Sequence, residues 1–155
     1  MGIEIERKFL VKGEAWRSLG QGVAFTQGYL AGSEQATIRV RIAGDLAYLT
    51  VKGKVHNLVR QEFEYEIPVM DAQAMLQLCH SRIVEKTRYK IYLQDLTWEV
   101  DEFAGANQGL TIAEVELNAP DQPVSLPAWV GQEVSDDPRY FNSYLAQHPY
   151  TTWPT

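Results

Sequence analysis

Cysteine is almost missing from the chain. Cys79 stands alone among 155 residues, so no disulfide can form within it. A lone thiol fits a reducing compartment. The N-terminal stretch is charged by its fourth residue and carries no apolar h-region, unlike a secretory signal. The expected address is therefore the cytoplasm. No run of 18 apolar residues occurs, so no membrane-spanning helix is expected. Histidine is scarce as well. His56, His80 and His148 show neither H-x-H nor H-x-x-x-H spacing, which disfavours a histidine metal site. Gly28 opens no G-x-x-x-x-G-K-[ST] phosphate loop. Low-complexity tracts and solenoid repeats are also missing.

Positive charge is in deficit: the net charge is −6 and the pI about 5.0. Such a balance argues against long nucleic acid as a partner. The charge is unevenly spread, however. Residues 1–60 hold nine Lys/Arg against five Asp/Glu, whereas residues 61–155 hold five against fifteen. The chain has the length of one domain, 1–155, and 45% hydrophobic residues, enough for an ordinary core.

Strand signals dominate, with expected strands at 3–11, 23–31, 36–43, 46–53, 60–68, 83–93, 95–103 and 110–118. Turn formers separate them: Gly32-Ser33, Gly44-Asp45 and Gln94-Asp95. Helices are expected at 13–19, at Asp71–His80 with Asp71 as N-cap and Ala72, Met75, Leu76 and Cys79 on one face, and at Asp137–Gln147. The tail from His148 to Thr155, with two prolines, is expected to form no regular element. Eight strands on short connections read as an antiparallel meander, and eight is a number that closes into a small barrel. The expected fold is α+β: an eight-stranded antiparallel β-barrel with a few helices packed outside.

Residues two apart on a strand share a face. One face carries Glu4/Glu6/Lys8, Arg39/Arg41, Lys52, Glu62/Glu64/Glu66, Lys86/Arg88/Lys90, Glu99/Asp101 and Glu114/Glu116 in successive strands. The opposite face is apolar, as in Ile38/Val40/Ile42 and Trp98/Val100. A half-buried sheet with a solvated charged face explains any one strand. A barrel with a charged lumen is the alternative, and the sorting of charge by sign along strands favours it. A surface built only for solubility intersperses signs. Rows of like charge repel, and a bound ion of opposite sign offsets that cost. Carboxylate rows suit Mg²⁺ or Mn²⁺; guanidinium and ammonium rows suit phosphate oxygens. Both together suit a metal-chelated polyphosphate.

The segment Glu4-Ile5-Glu6-Arg7-Lys8 resembles the E-x-E-x-K signature of the CYTH superfamily, the triphosphate tunnel metalloenzymes. Further stations follow in family order: Gln27-Gly28-Tyr29-Leu30, Ile38-Arg39-Val40-Arg41, Thr50-Val51-Lys52, Arg60-Gln61-Glu62-Phe63-Glu64, Glu85-Lys86-Thr87-Arg88-Tyr89, Glu99-Val100-Asp101 and Glu114-Val115-Glu116. Arg139-Tyr140-Phe141-Asn142 resembles the family's closing helix, and the likeness looks nearest to the short bacterial members. The resemblance implies a tunnel lined by charge and a metal-dependent activity on triphosphates.

By that resemblance Lys8, Arg39, Arg41, Lys52, Lys86 and Arg88 bind phosphate. Glu4, Glu6, Glu114 and Glu116 hold Mg²⁺ or Mn²⁺, with Glu62, Glu64 and Asp101 in the same acidic region. Lys86 and Tyr29 are the candidates for handling a proton. The leading expectation is hydrolysis of inorganic triphosphate to pyrophosphate and phosphate. The alternatives are a class IV-type adenylate cyclase, a thiamine triphosphatase, or a non-catalytic polyphosphate- or nucleotide-binding module. The stretch 136–141 keeps one cation, Arg139, where some family members carry additional lysines. Trp16, Trp129 and Trp153 are read as packing rather than as base-stacking platforms, and Cys79 as core. Phe103, Trp129 and Tyr144 leave room for a homodimer.

Overall fold

The computed structural model describes residues 2–80 and 82–154. Its strands are β1 (Gly2–Val11), β2 (Gly22–Gly32), β3 (Ala36–Ala43), β4 (Leu46–Gly53), β5 (Val59–Ile67), β6 (Ile83–Leu93), β7 (Leu96–Phe103), β8 (Thr111–Glu116) and β9 (Val130–Glu133). They form one antiparallel sheet in the order β5-β4-β3-β2-β6-β7-β8-β1-β9, and β5 pairs back onto β1. That pairing closes β1–β8 into the expected eight-stranded barrel. The β6–β7 hairpin turns at Gln94 and Asp95, with φ of 49° and 64°, the left-handed pair that a two-residue hairpin turn needs.

Strand β1 serves three neighbours. Gly2–Ile5 pair with β5, Glu6–Leu10 with β8, and Phe9 and Val11 with β9. β9 lies outside the expected elements: four residues that include Gly131 are too short to show alternation. It covers the stretch of the β1 edge that β5 leaves free.

The helical parts depart from expectation at their ends. Residues Ala15–Leu19 form a 3₁₀ turn. Helix α1 runs Val69–Leu78 and starts two residues before Asp71, because Pro68 stands at its N-cap with its carbonyl accepting from Ala72. Asp71 sits in the first turn, where a carboxylate favours the helix dipole. The expected single helix at 137–147 is broken into a 3₁₀ turn, Pro138–Tyr140, and helix α2, Asn142–Gln147, because Phe141 is extended between them (ψ 139°). The tail is partly regular, with a 3₁₀ turn at Tyr150–Thr152; Thr155 lies outside the described residues.

The barrel is apolar outside and charged inside. Trp98, Val100, Val115 and Phe9 form one outer core with Trp16, Trp129 and Val130. Val40 and Ala47 form another beneath Ala72 and Cys79. Helix α1 sits hard on β2 at Gly28, where a Cβ would stand 2.7 Å from Cys79 Sγ. The third core closes one end of the tunnel. The lumen-facing rows of β2, β6, β7 and β8 run on into Tyr29, Val84, Phe103 and Ile112, and these pack with Leu145 and Ala146 of α2. Trp16 and Trp129 are thus packing residues, and Trp153 packs edge-on against Tyr140, Tyr144 and Tyr150. Phe103 and Trp129 are buried inside the chain, so they present no face to a second copy. Among the described residues no helix is long and apolar enough to cross a membrane.

Candidate active site

The lumen holds a cavity of about 340 Å³. Every strand of the barrel lends side chains to it, charged on all but β2, which gives Phe25 and Tyr29. All the expected site residues line this cavity except Asp101, which lies behind its wall. Tyr29 marks its junction with the apolar end. Lys90 and Glu99, which alternate with expected site residues, reach it too.

The cationic wall is built by β3 and β6 with the side chains of β2 between them. Lys86 Nζ donates to Asp101 Oδ2 at 2.7 Å. Arg88 donates to the same carboxylate through Nε to Oδ1 at 2.7 Å and Nη2 to Oδ2 at 2.8 Å. Asp101 is 1% exposed and both its oxygens are occupied, so its geometry differs from that of the acidic region with which it was grouped. Burial pushes its carboxyl up, but Arg88 and Lys86 prevail and hold it at about 2. Lys86 itself is pushed down to about 7, chiefly by burial, which Asp101 does not offset against Arg88 and Arg41 nearby. Arg41 is lowered to about 9 by burial and by Arg39 and Arg88. Phe25 separates the two guanidinium groups, with Arg41 4.7 Å and Arg88 4.9 Å from its ring centre. Arg39 donates Nη2 to Thr50 Oγ1 at 3.3 Å and to Glu64 at 3.5 Å. Its Nε is buried with no hydrogen-bond partner among the described residues.

The acidic wall is built by β1, β5 and β8. Register sets Glu6 opposite Glu116 and, across the next ladder, Glu99 opposite Glu114. Like charges placed so are destabilising. Glu6 has Arg60 Nη2 only at 4.0 Å, and burial together with Glu114 and Glu4 pushes its carboxyl well above the usual range. Burial acts upward on Glu114 also, but Lys8, 3.7 Å away, and Arg88 hold it low. Glu4 is likewise held low against burial, by Lys52 at 3.2 Å and Arg60 at 2.9 Å. Lys52 also meets Glu62 at 3.2 Å. Among the described residues no three His, Cys, Asp or Glu side chains already stand close enough to grip one ion. The donors nevertheless fit a hard divalent cation in kind, being carboxylate oxygens facing one polar cavity with surplus like charge.

Three contributors carried no assigned role in the sequence. Arg60 belongs to the same row as Glu62 and Glu64 and pairs with Glu4; the alternation was its signal. Gln27 and Asn142 are neutral and stand outside the charge pattern, their signal being only their place in the segments 27–30 and 139–142 that resemble the family. Gln27 is 0% exposed. Its Oε1 accepts from Arg41 Nε at 2.8 Å and its Nε2 donates to Asn142 Oδ1 at 3.2 Å and, at 3.4 Å, toward Tyr29 Oη. Asn142 Oδ1 also accepts from Lys86 Nζ at 2.9 Å. Among the described residues no hydrogen bond joins Tyr29 to Lys86 directly; these two amides connect them. Lys8 Nζ donates to the Tyr140 carbonyl at 3.2 Å and lies 4.9 Å from the Phe141 ring centre.

An antiparallel eight-stranded tunnel, apolar outside and lined by opposed cationic and carboxylate walls, defines a class of polyanion-handling barrels. The CYTH domain family matches residues 2–141, and the chain belongs to it. It is 49% identical over 151 residues to an inorganic triphosphatase of Acetivibrio thermocellus, covering 97% of each chain. To an inorganic triphosphatase of Nitrosomonas europaea it is 39% identical over 147 residues, covering 92% of this chain and 96% of that one. A crystal structure of an inorganic triphosphatase superposes with a TM-score of 0.66 at 36% identity, over 98% of this chain and 97% of the other.

Proposed function

We propose that this protein hydrolyses inorganic triphosphate to pyrophosphate and phosphate, using Mg²⁺ or Mn²⁺. The observation that carries the reading is Arg39 Nε, a buried donor with no partner among the described residues, set in a wall with Arg41, Lys86 and Arg88. Buried donors are almost always satisfied, and a phosphate oxygen supplies the acceptor this one lacks. The near relatives named inorganic triphosphatase support the same substrate.

Arg39, Arg41 and Arg88 grip phosphate oxygens through forked N–H pairs, and Lys8, Lys52 and Lys86 act as point charges. The donors are fixed before substrate arrives, which is what lets them stabilise charge as it shifts onto the transferring phosphoryl group. Glu6, Glu114 and Glu116, with Glu4 and Glu62 beside them, are the residues that would hold the cation. Such an ion, when bound, screens phosphate charge and acidifies a water molecule. Glu64 and Asp101 we read as partners of Arg39 and of the Lys86–Arg88 pair rather than as ligands. Lys86, poised at about 7, holds or yields a proton near neutrality, and Tyr29 reaches it through Gln27 and Asn142. The lone buried Cys79 supports a cytoplasmic setting.

A nucleotide substrate is less well served. Trp16 and Trp129 lie in the outer core, and Phe25 inside the lumen is flanked by two guanidinium groups. The test is release of phosphate from tripolyphosphate with Mg²⁺ or Mn²⁺, run beside ATP and thiamine triphosphate. Fastest turnover of tripolyphosphate is expected; no release from it would sink the reading.

A further inference from the structure

We infer that Asn142, held by Gln27, is a positioning residue for Lys86, and that the pair must be neutral amides for the cationic wall to keep its charge. The inference rests on the triphosphatase reading. Asn142 lies one residue beyond the stretch that the family matches, residues 2–141.

The hydrogen-bond polarity is forced. Arg41 and the Lys86 ammonium can only donate. Gln27 must therefore present its oxygen to Arg41, which leaves its NH₂ to face Asn142. Asn142 must present its oxygen to Lys86, and that same oxygen takes the Gln27 NH₂. Each choice requires the other, so neither amide can flip without leaving a buried donor unpaired. The result is one hydrogen-bonded run from Arg41 on β3, through β2 and α2, to Lys86 on β6. It fixes the distance between two cations on strands that are not neighbours.

An ammonium has three N–H groups. Asp101 and Asn142 take two of those on Lys86, leaving the third for the cavity that Lys86 lines. Without Asn142 the ammonium is held at one point and can rotate about it.

The choice of amides matters because of the charge already present. Asp101 serves both Lys86 and Arg88. A carboxylate at 142 or 27 would orient a cation as well as an amide does, but would also cancel charge needed for phosphate. Asn142 is itself anchored from behind, since Leu145 and Ala146 of the same helix pack in the apolar cluster that closes the tunnel.

Two substitutions separate position from charge. Asn142→Ala removes the acceptor; Asn142→Asp keeps an acceptor of the same size and adds a negative charge. Both are assayed for phosphate release from tripolyphosphate with Mg²⁺. Calorimetric titration of tripolyphosphate into metal-free protein, and thermal unfolding, accompany the assays. Asn142→Ala should lower kcat about tenfold, the scale of one hydrogen bond to a charged group, with KM little changed. Asn142→Asp should restore kcat towards wild type while KM and the metal-free Kd rise about tenfold. The inference is overturned by a wild-type kcat in Asn142→Ala. It is equally overturned if both variants lose kcat alike with KM and Kd unmoved, the mark of a merely structural residue. A wild-type protein inactive on tripolyphosphate removes the hydrolase reading and this inference with it, an outcome distinct from an active protein indifferent to residue 142.

Discussion

The two walls of the tunnel are both densely charged, yet they are held in opposite ways. The cations of β3 and β6 are spaced by uncharged groups, the Phe25 ring, the Thr50 hydroxyl and the amides of Gln27 and Asn142, and paired with Asp101, with Glu99 at 3.3 Å from Arg88 and with Glu64 at 3.5 Å from Arg39. The carboxylates of β1 and β8 instead oppose one another, Glu6 to Glu116, with Lys8, Lys52 and Arg60 at the margins. One wall is ordered with charge to spare. The other crowds like charges that a bound cation would relieve. That asymmetry is what a site for a metal-chelated polyanion requires, and it is open to attack from either side.

The largest effect should come from removing the carboxylate that Lys86 and Arg88 share. Asp101→Leu leaves Lys86 and Arg88 buried without their shared partner. Breaking a buried ion pair costs on the order of 3–5 kcal/mol, so urea unfolding should show a loss of that size together with loss of activity. Wild-type stability in this variant would mean that solvent, not Asp101, supports the wall.

Titration probes the same wall. Lys86 sits at about 7 in the fold against 10.5 for an ordinary lysine. Between those values the unfolded chain binds a proton that the folded chain does not, so stability contributed through Lys86 rises with pH across that window. It is lost as pH falls through 7. Urea unfolding at pH 7, 8 and 9 should therefore show a slope in wild type that is lower by up to one proton in Lys86→Met. Equal slopes would place Lys86 in a far wetter setting than its burial among Arg41, Arg88 and Asp101 indicates.

The acidic wall is the one we propose to hold metal. Glu6→Gln removes one like charge and one ligand together. The Mg²⁺ concentration for half-maximal activity should rise about tenfold, the lower end of what disturbing a metal site costs, while the metal-free protein is no less stable. Unchanged metal dependence would show that the carboxylates of β1 are not ligands and that the contrast between the walls has another cause.

How far these walls could be read from sequence depended on charge and length. Period-two alternation exposed Glu4/Glu6/Lys8 and Lys86/Arg88/Lys90, because each row is long and carries formal charge. It also implied the inversion of the barrel, since Trp98 and Val100 fall opposite Glu99 and Asp101. Register was not legible. Asp101 looked like any other carboxylate of the acidic region until the pairing of β6 with β7 set it opposite Arg88. Gln27 and Asn142 stood in segments that resemble the family, but no role could be read for them because an amide among apolar and charged neighbours breaks no pattern. β9 was too short for periodicity to speak, and α2 was expected as the end of a longer helix, 137–147, which the extended Phe141 interrupts.

The smallest expected effect lies just outside the tunnel and marks where the cationic wall ends. Arg139 is the only cation in the stretch 136–141, where some family members carry additional lysines. In the fold its Nη2 meets Asp137 at 2.6 Å, its side chain is 56% exposed, and it stacks towards Tyr140 and Trp153. The residues that the closing segment does send inward are Phe141, Asn142 and Ser143. Exposed ion pairs contribute little to stability, and a charge on the outer side of the segment is screened from the lumen. Arg139→Ala should thus leave kcat, KM for tripolyphosphate and Tm at wild-type values, whereas Asn142→Ala three residues on should not. A rise in KM for Arg139→Ala that high salt abolishes would extend the cationic wall beyond the barrel, and the boundary between a charged lumen and a neutral lid would have to be redrawn.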